Sequence, residues 1–324
     1  MRILIIGGTR FVGRHITEAA LAAGHEVSLL HRGQTGPGLF PEAEHLIADR
    51  NGGLPVLRGR EWDVTIDVSA YLPAQIESLA EAVSTGRYVF VSTTAVYDAP
   101  GKKADFTEDA PLAELDGPVP DTVTGATYGP LKVLCERTAI ERFGPGTLVV
   151  RPTYVIGPHD YTGRFTYWVN RIARGGEVLA PGDPAAPIQV IDGRDMASWI
   201  IAMIEKGDGG TFHAVSPRPP FGFGDMLEAI AAEVGPPGTT LTWVAGDFLR
   251  VEGQDGRTLP LWGEDGDSTV INTADPSAAY GAGLAPRPLA RSVREIREAE
   301  ADFSVATTIT PEREAEILAA WHAR

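Results

Sequence analysis

A single cysteine, Cys135, is all that this chain of 324 residues carries. No intrachain disulfide can form and no cysteine-type metal site can be built, so a reducing compartment is the expectation. Long apolar runs are missing as well, since nothing approaches the roughly 18 consecutive apolar residues of a membrane span. The opening MRILIIGG has one basic residue and a short apolar run that ends in glycines. That run is shorter than the apolar core of about 7–15 residues in a secretion signal and reads as a first strand. Positive charge is scarce: 28 Lys and Arg stand against 43 Asp and Glu, for a net charge of −15. A field of that sign opposes nucleic acids and anionic membranes. A soluble, cytoplasmic protein is expected.

The composition that remains is ordinary. Hydrophobic residues make up 43% and charged residues 22%, as in an average globular chain. This length buries a core without staples and is enough for about two domains, or one large α/β domain with an added lobe. The first half alternates strand-like runs (2–6, 26–30, 45–48, 63–68, 88–91) with helix-like stretches (11–23 and 73–83). Strand, helix, strand in repetition predicts a parallel sheet with helices on both faces. Residues 99–125 are rich in Pro, Gly, Asp and Glu and read as a long loop, before a helix over 128–142 and a strand over 147–150. Beyond Arg151 helices are expected at 165–174, 196–205 and 224–233, with a strand at 211–215 and an acidic loop at 252–267. Thr310 followed by Pro311 starts a terminal helix, as cap and first helical residue.

The chemistry begins at Gly7-Gly8-Thr9-Arg10-Phe11-Val12-Gly13, between the first strand and the first helix. Glycines in such a turn let the backbone approach a pyrophosphate, whose charge meets the N–H groups of the helix start. After the second strand, where an NAD enzyme places a carboxylate for the ribose 2′-hydroxyl, the chain reads His31-Arg32-Gly33. Arg32, with Arg10 from the glycine turn, suits a 2′-phosphate through charge-assisted bonds and points to NADP(H). Asp49, after the third strand, is a candidate acceptor for the adenine amino group. Farther on, Tyr128 and Lys132 are four apart and share a helix face. An ammonium beside a phenol favours the phenolate, as a general acid/base requires. The strand ending in Val91-Ser92-Thr93-Thr94-Ala95-Val96-Tyr97 brings hydroxyls to the crevice at the carboxyl ends of such a sheet.

The glycine turn, the hydroxyl run before Val96-Tyr97, the Tyr128/Lys132 helix and the segment 151–158, RPTYVIGP, occur in one order. In that order the chain resembles the extended short-chain dehydrogenase/reductases of the NAD-dependent epimerase/dehydratase family, well over residues 1–215 and loosely beyond. The resemblance implies a Rossmann-like doubly wound parallel sheet with helices on both faces and a smaller C-terminal α/β substrate lobe. It divides the chain into a dinucleotide-binding domain over 1–150, rejoined by strands from 151–215, and a substrate lobe over 151–324. The implied catalytic residues are Tyr128 as proton donor or acceptor, Thr93 as partner of the substrate oxygen, and Lys132 as tuner and ribose ligand. The cofactor set becomes Gly7, Thr9, Arg10, Phe11, Val12, Gly13, Arg32, Asp49, Ser69, Ala70, Lys132, Pro152, Tyr154 and Val155. Divergent family members are monomers and others dimerise through the helices corresponding to 73–83 and 128–142.

The chain departs from the family pattern in three places. Arg10 stands where the family usually has glycine, which supports NADP(H) over NAD(H). Thr94 and Ala95 replace the Asp-Glu pair of sugar 4,6-dehydratases, so water elimination by that route is not expected. The two arginines that clasp the diphosphate of nucleotide sugars fall near Ala185 and Glu264, with Arg194 or Arg257 as stand-ins if the register slips. A carboxylate there repels a diphosphate, so a smaller or uncharged substrate is expected. His159-Asp160 and Pro260-Leu261-Trp262 read as loop and core before they read as site. The expected function is an NADP(H)-dependent oxidoreductase acting on a carbonyl or secondary alcohol of a small metabolite. The alternatives are an epimerase that retains its cofactor and two non-enzymatic readings, a redox sensor and an RNA binder. The last rests on the GGTRF spelling, similar to chloroplast stem-loop-binding ribonucleoproteins.

Overall fold

The computed structural model describes residues 1–52, 54–98, 104–263 and 271–324. In chain order the elements are β1 (Arg2–Ile6), α1 (Phe11–Ala22), β2 (Glu26–His31), β3 (Glu44–Ile47), β4 (Glu61–Asp67), α2 (Pro73–Ala82), β5 (Ser84–Val91), α3 (Gly125–Phe143), β6 (Leu148–Pro152) and β7 (Tyr154–Ile156). They continue with α4 (Arg164–Ala173), β8 (Glu177–Pro181), β9 (Val190–Asp192), α5 (Gly193–Lys206), β10 (Gly210–Ala214), α6 (Phe223–Val234), β11 (Thr240–Val244) and α7 (Gly246–Val251). Helices Ser277–Gly281, Leu289–Glu300 and Pro311–His322 follow.

The chain forms two compact units. The first comprises Met1–Val155, Ile191–Ser216 and Ala274–Pro286; the second comprises Ile156–Val190, Pro217–Thr273 and Arg287–Arg324.

The first unit is built on a seven-stranded sheet in the order β10-β6-β5-β4-β1-β2-β3, with every neighbouring pair parallel. Parallel strands covered on both faces read as unbroken apolar runs, and RILII of β1 is the example, with Ile3, Leu4 and Ile5 fully buried. Alternate side chains feed two cores. Ile3, Ile5, Leu29, Ile66 and Val150 join residues of α1 and α5 in one, and Leu4, Ile6, Leu30 and Phe90 join α2 and α3 in the other. The fold is therefore the doubly wound α/β fold expected, with the strand order reversing direction at β1. Ligand crevices of such sheets lie at the carboxyl ends of the strands beside that reversal, here β1 and β4.

Three expectations shift in detail. The fifth strand starts at Ser84, four residues earlier than read, because Gly86 lets β5 approach β4 so closely that a Cβ there would lie 2.9 Å from the Asp63 carbonyl oxygen. The polar residues around that glycine hide the strand in the sequence. The helix read from Tyr128 begins at Gly125, capped by Thr124, whose hydroxyl accepts from the Thr127 amide. Strands β8 and β11, which pair in parallel within the second unit, went unread. In the same unit the terminal helix starts as its residues indicate, with the Thr310 hydroxyl accepting from the Arg313 amide.

Candidate active site

The turn after β1 is made possible by two glycines. Gly7 has φ +88°, and a Cβ on Gly13 would stand 2.1 Å from the Gly7 carbonyl oxygen. Only hydrogen at Gly13 lets the first turn of α1 close onto the end of β1. The turn is bonded to the sheet from Gly7 N–H to the Leu30 oxygen, 3.0 Å. Thr9 is buried, and Phe11 holds the left-handed value φ +38°, a strain that such sites tolerate where surrounding packing fixes it. Arg10 is the N-cap residue of α1, has extended backbone and gives the helix no side-chain cap; no acidic residue sits in the first turn. This end of α1 thus carries its positive dipole without an internal carboxylate to neutralise it.

Opposite Gly7 lies the carboxyl end of β4. A Cβ on Gly7 would be 3.2 Å from Ser69 Cβ, so Ser69 and Ala70 line the same place as the glycine turn. Lys132 of α3 reaches there too. Its ammonium, buried at 3% exposure, donates to the carbonyl oxygens of Ala70 (3.0 Å) and Val91 (2.8 Å) and lies 3.9 Å from the Phe90 ring centroid. A lysine has three donors, so the third N–H of Lys132 finds no acceptor among the described residues. Burial lowers its pKa from 10.5 to about 8. The Tyr71 ring is 5.6 Å from the same ammonium and 6.2 Å from the ring of Tyr128.

Thr93 follows β5 by two residues and caps a short turn, its Oγ accepting from the Ala95 amide at 3.1 Å. Its hydroxyl hydrogen is left to donate outward. Helix α3 is drawn against this turn at Gly129, where a Cβ would come within 2.1 Å of the Ala95 carbonyl oxygen. Gly129, between Tyr128 and Lys132 in the sequence, thus seats α3 on the turn that Thr93 caps. Gly7 faces Ser69, and Lys132 ties Ala70 to the end of β5. Pro152 ends β6 paired with Ala214 of β10, and Val155 packs at the start of α5, with Cγ1 3.2 Å from where a Gly193 Cβ would be. Tyr154 between them is half-buried.

Arg32 and Asp49 stand apart on the exposed edge beyond β2 and β3. The Arg32 guanidinium has no ion-pair or hydrogen-bond partner among the described residues, whereas one oxygen of Asp49 takes up the Asn51 amide at 2.9 Å. Of the arginines considered for a diphosphate, Arg194 is paired with Asp192 at 2.6 Å and Arg257 with Asp255 at 2.7 Å. Ala185 lies in a turn held by Asp183, and Glu264 lies outside the described residues.

Two buried networks escape a reading of the sequence. Arg50 makes a two-pronged pair with Asp67 (2.8 and 2.9 Å), and also donates to Ser69 Oγ and the Gln75 oxygen. Tyr88 donates to the same carboxylate at 2.9 Å. Burial pushes the Asp67 carboxyl up, yet Arg50 and the hydrogen bonds outweigh it and hold the group below its usual range. This network fixes Ser69 and Ala70. The second joins Arg151 of β6 to Glu136 of α3 (3.0 and 2.6 Å) and to the Tyr97 hydroxyl (2.5 Å), which meets His213 Nε2. Glu136 is one turn past Lys132 and Tyr97 four residues past Thr93, so the pair sets α3 against the Thr93 turn. The only signal in the sequence is charge at the ends of apolar strands, Asp67 and Arg151.

The doubly wound parallel sheet, with the Tyr128/Lys132 helix packed on it, is the fold shared with solved epimerase structures. Residues 60–215 match the model of the NAD dependent epimerase/dehydratase family. Among curated proteins it is 24% identical over 220 residues to the chloroplast stem-loop binding protein of 41 kDa b of Arabidopsis thaliana, covering 63% of this chain and 55% of that protein. It is 25% identical over 245 residues to the isoflavone reductase homolog IRL of Zea mays, covering 74% and 70%. Matches thus span about half to two thirds of these two relatives. A solved structure of the human epimerase family protein SDR39U1 (isoform 2) with NADPH aligns at TM-score 0.65 and 19% identity, covering 92% of this chain and 99% of that one. Among the described residues no helix is long and apolar enough to cross a membrane.

Proposed function

We propose that the protein is an NADP(H)-dependent oxidoreductase that interconverts a carbonyl and a secondary alcohol on a small metabolite. The observation that carries the reading is Lys132, a buried ammonium with one donor unspent among the described residues, held at the Ala70 and Val91 oxygens on the same helix as Tyr128.

The residues present fit a dinucleotide. The glycine turn closes only without side chains at Gly7 and Gly13, and α1 begins there with no acidic residue of its own. Gly7, Thr9, Phe11, Val12 and Gly13 would hold the pyrophosphate, and Ser69, Ala70 and the free N–H of Lys132 the nicotinamide half. Pro152, Tyr154 and Val155 would flank the nicotinamide. Arg10 and Arg32 would take the 2′-phosphate, and Asp49 the adenine. When bound, the nicotinamide supplies or accepts the hydride at the substrate carbon.

The chain's own part is the proton and the orientation. In reduction the Tyr128 phenol gives its proton to the substrate oxygen as the carbon gains the hydride; in oxidation the proton returns. The Thr93 hydroxyl, whose oxygen is already anchored by the Ala95 amide, donates to that substrate oxygen and fixes it in line. The Lys132 ammonium favours the phenolate while it remains charged. With Ala185 in place of a diphosphate-clasping arginine, and with Arg194 and Arg257 committed to carboxylates, a substrate without a nucleotide diphosphate is favoured. The printed name of the maize relative, a reductase homolog, supports the reaction class.

Purified, nucleotide-stripped protein titrated with NADPH and NADH should prefer NADPH by about tenfold, roughly 1.4 kcal/mol. The variant Tyr128→Phe should bind NADPH unchanged and lose turnover. Preference for NADH sinks the Arg10/Arg32 assignment, and undiminished turnover in the variant sinks the role of Tyr128. The name of the Arabidopsis relative keeps an RNA-binding reading in play; the net charge of −15 opposes it, and RNA retention at low salt tests it.

A further inference from the structure

Beyond β2 the chain turns through residues 33–40 before β3, and two histidines tie this loop down. His31 and His45 meet at right angles, ring centroids 5.0 Å apart, with His31 Nε2 2.8 Å from His45 Nδ1. The Gly33 amide points at His31 Nδ1 (3.0 Å), and His45 Nε2 lies 3.1 Å from the Phe40 carbonyl oxygen. The proton inventory of this chain has one solution. An amide N–H only donates, so His31 Nδ1 is bare and its hydrogen is on Nε2. A carbonyl only accepts, so the hydrogen of His45 is on Nε2 and its Nδ1 is bare to receive His31. Gly33 N–H, His31, His45 and the Phe40 oxygen form a one-way relay of two neutral imidazoles. Either added proton, on His31 Nδ1 or His45 Nδ1, sets two hydrogens face to face and breaks a link.

The relay closes a strained loop. Gly33 and Gly36 have φ +71° and +54°, and Phe40, a non-glycine, has φ +58°. The loop also lies on the dinucleotide turn, since a Cβ on Gly36 would be 3.5 Å from the Thr9 carbonyl oxygen. Exposed Glu42 precedes β3, Arg32 follows His31, Arg10 stands just before α1, and Arg14 of α1 pairs with Glu18. Glu44 of β3 is held by Arg60 and Ser28, and Asp49 takes up Asn51. Among the described residues no carboxylate is hydrogen-bonded to either imidazole to stabilise a cation. Burial, then His45, keeps the His31 pKa below the usual histidine value.

We infer that His31 and His45 are positioning residues for the cofactor, a latch that holds loop 33–40 and Arg32 against the dinucleotide turn while the relay is intact and releases them when His31 takes up a proton in mild acid. The inference rests on the NADP(H) reading above. The sign follows from the relay: a histidine depressed in the fold is neutral above its unfolded pKa of about 6.5, and the latch is lost as pH falls through the folded value.

The test uses the full chain, NADPH as probe and two readouts, followed between about pH 7.5 and 5.5. One is the dissociation constant in the wild type and in the double variant His31→Gln/His45→Gln, which keeps donors and acceptors but cannot ionise at either position. The other is amide hydrogen exchange over residues 33–40 without cofactor. The wild type should lose about tenfold more affinity across the window than the variant, because titration of the 2′-phosphate itself is common to both. Loop protection factors, which divide out the intrinsic slowing of amide exchange in acid, should fall with acid in the wild type alone. Parallel affinity profiles, or loop protection that acid lowers equally in both proteins, would overturn the latch. Failure of the wild type to bind NADPH at neutral pH would instead defeat the cofactor reading, and the exchange arm would still decide the latch. If that double variant fails to fold, His31→Asn/His45→Gln supplies the non-ionising comparison.

Discussion

Replacing Lys132 by methionine separates what the ammonium does for the fold from what it does for chemistry. The drop from 10.5 to about 8 means that the fold disfavours the charge by about 3 kcal/mol, at 1.36 kcal/mol for each unit. Methionine removes that cost. It also strands the Ala70 and Val91 oxygens, about 1 kcal/mol each, and forfeits the contact over Phe90, about another 1 kcal/mol. The effects nearly cancel, so Lys132→Met should unfold in urea within about 1 kcal/mol of the wild type at neutral pH. The difference should not stay constant. Between about pH 8 and 10.5 the unfolded wild type still holds the lysine proton while the folded one has released it, so wild-type stability rises with pH. It should gain up to about 3 kcal/mol on the variant across that window, and titrations shared by both proteins cancel in the comparison. Over the same range turnover should fall, because the uncharged amine no longer favours the phenolate. Stability curves that run parallel, or a variant weaker by several kcal/mol at neutral pH, would refute this account of the buried ammonium.

Other outcomes follow from the same geometry. Gly13→Ala forces a methyl to within 2.1 Å of the Gly7 oxygen, and should cost about 1–3 kcal/mol and abolish NADPH binding, read by thermal melts and titration. Arg50→Met leaves the Asp67 carboxylate buried without its cation and should cost about 3–5 kcal/mol in urea unfolding, whereas a loss under 1 kcal/mol would mean that the carboxyl protonates instead. Thr310→Ala removes the cap of the terminal helix and should cost about 1 kcal/mol, with cofactor affinity unchanged.

The readable parts of this molecule are those whose cause is local. A glycine turn between an apolar run and an amphipathic one, a phenol and a lysine four apart, and hydroxyls after a buried strand each depend on neighbours within a few residues. The structure brings Gly7 against Ser69 and seats Lys132 between the Ala70 and Val91 oxygens. What stayed hidden depends on partners far along the chain. Arg50 and Asp67 are separated by 17 residues, Tyr97 and His213 by 116, and no period in the sequence links them. Helix α3 packs on the turn after Thr93 through Gly129, a residue that in the sequence looks like a weakness of the helix. Strands β8 and β11 are short and lie among glycines and prolines, so their apolar residues do not form a run long enough to declare a period.

The division of the chain into two units has a consequence for how new specificities can arise. The backbone passes between the units five times, because each is assembled from three separate segments. Neither can be cut out as one stretch, and a transplant of the second unit would have to exchange 156–190, 217–273 and 287–324 together. Change must therefore come piecewise. One segment can be rewritten between fixed anchor points while the other two hold the shape of the unit.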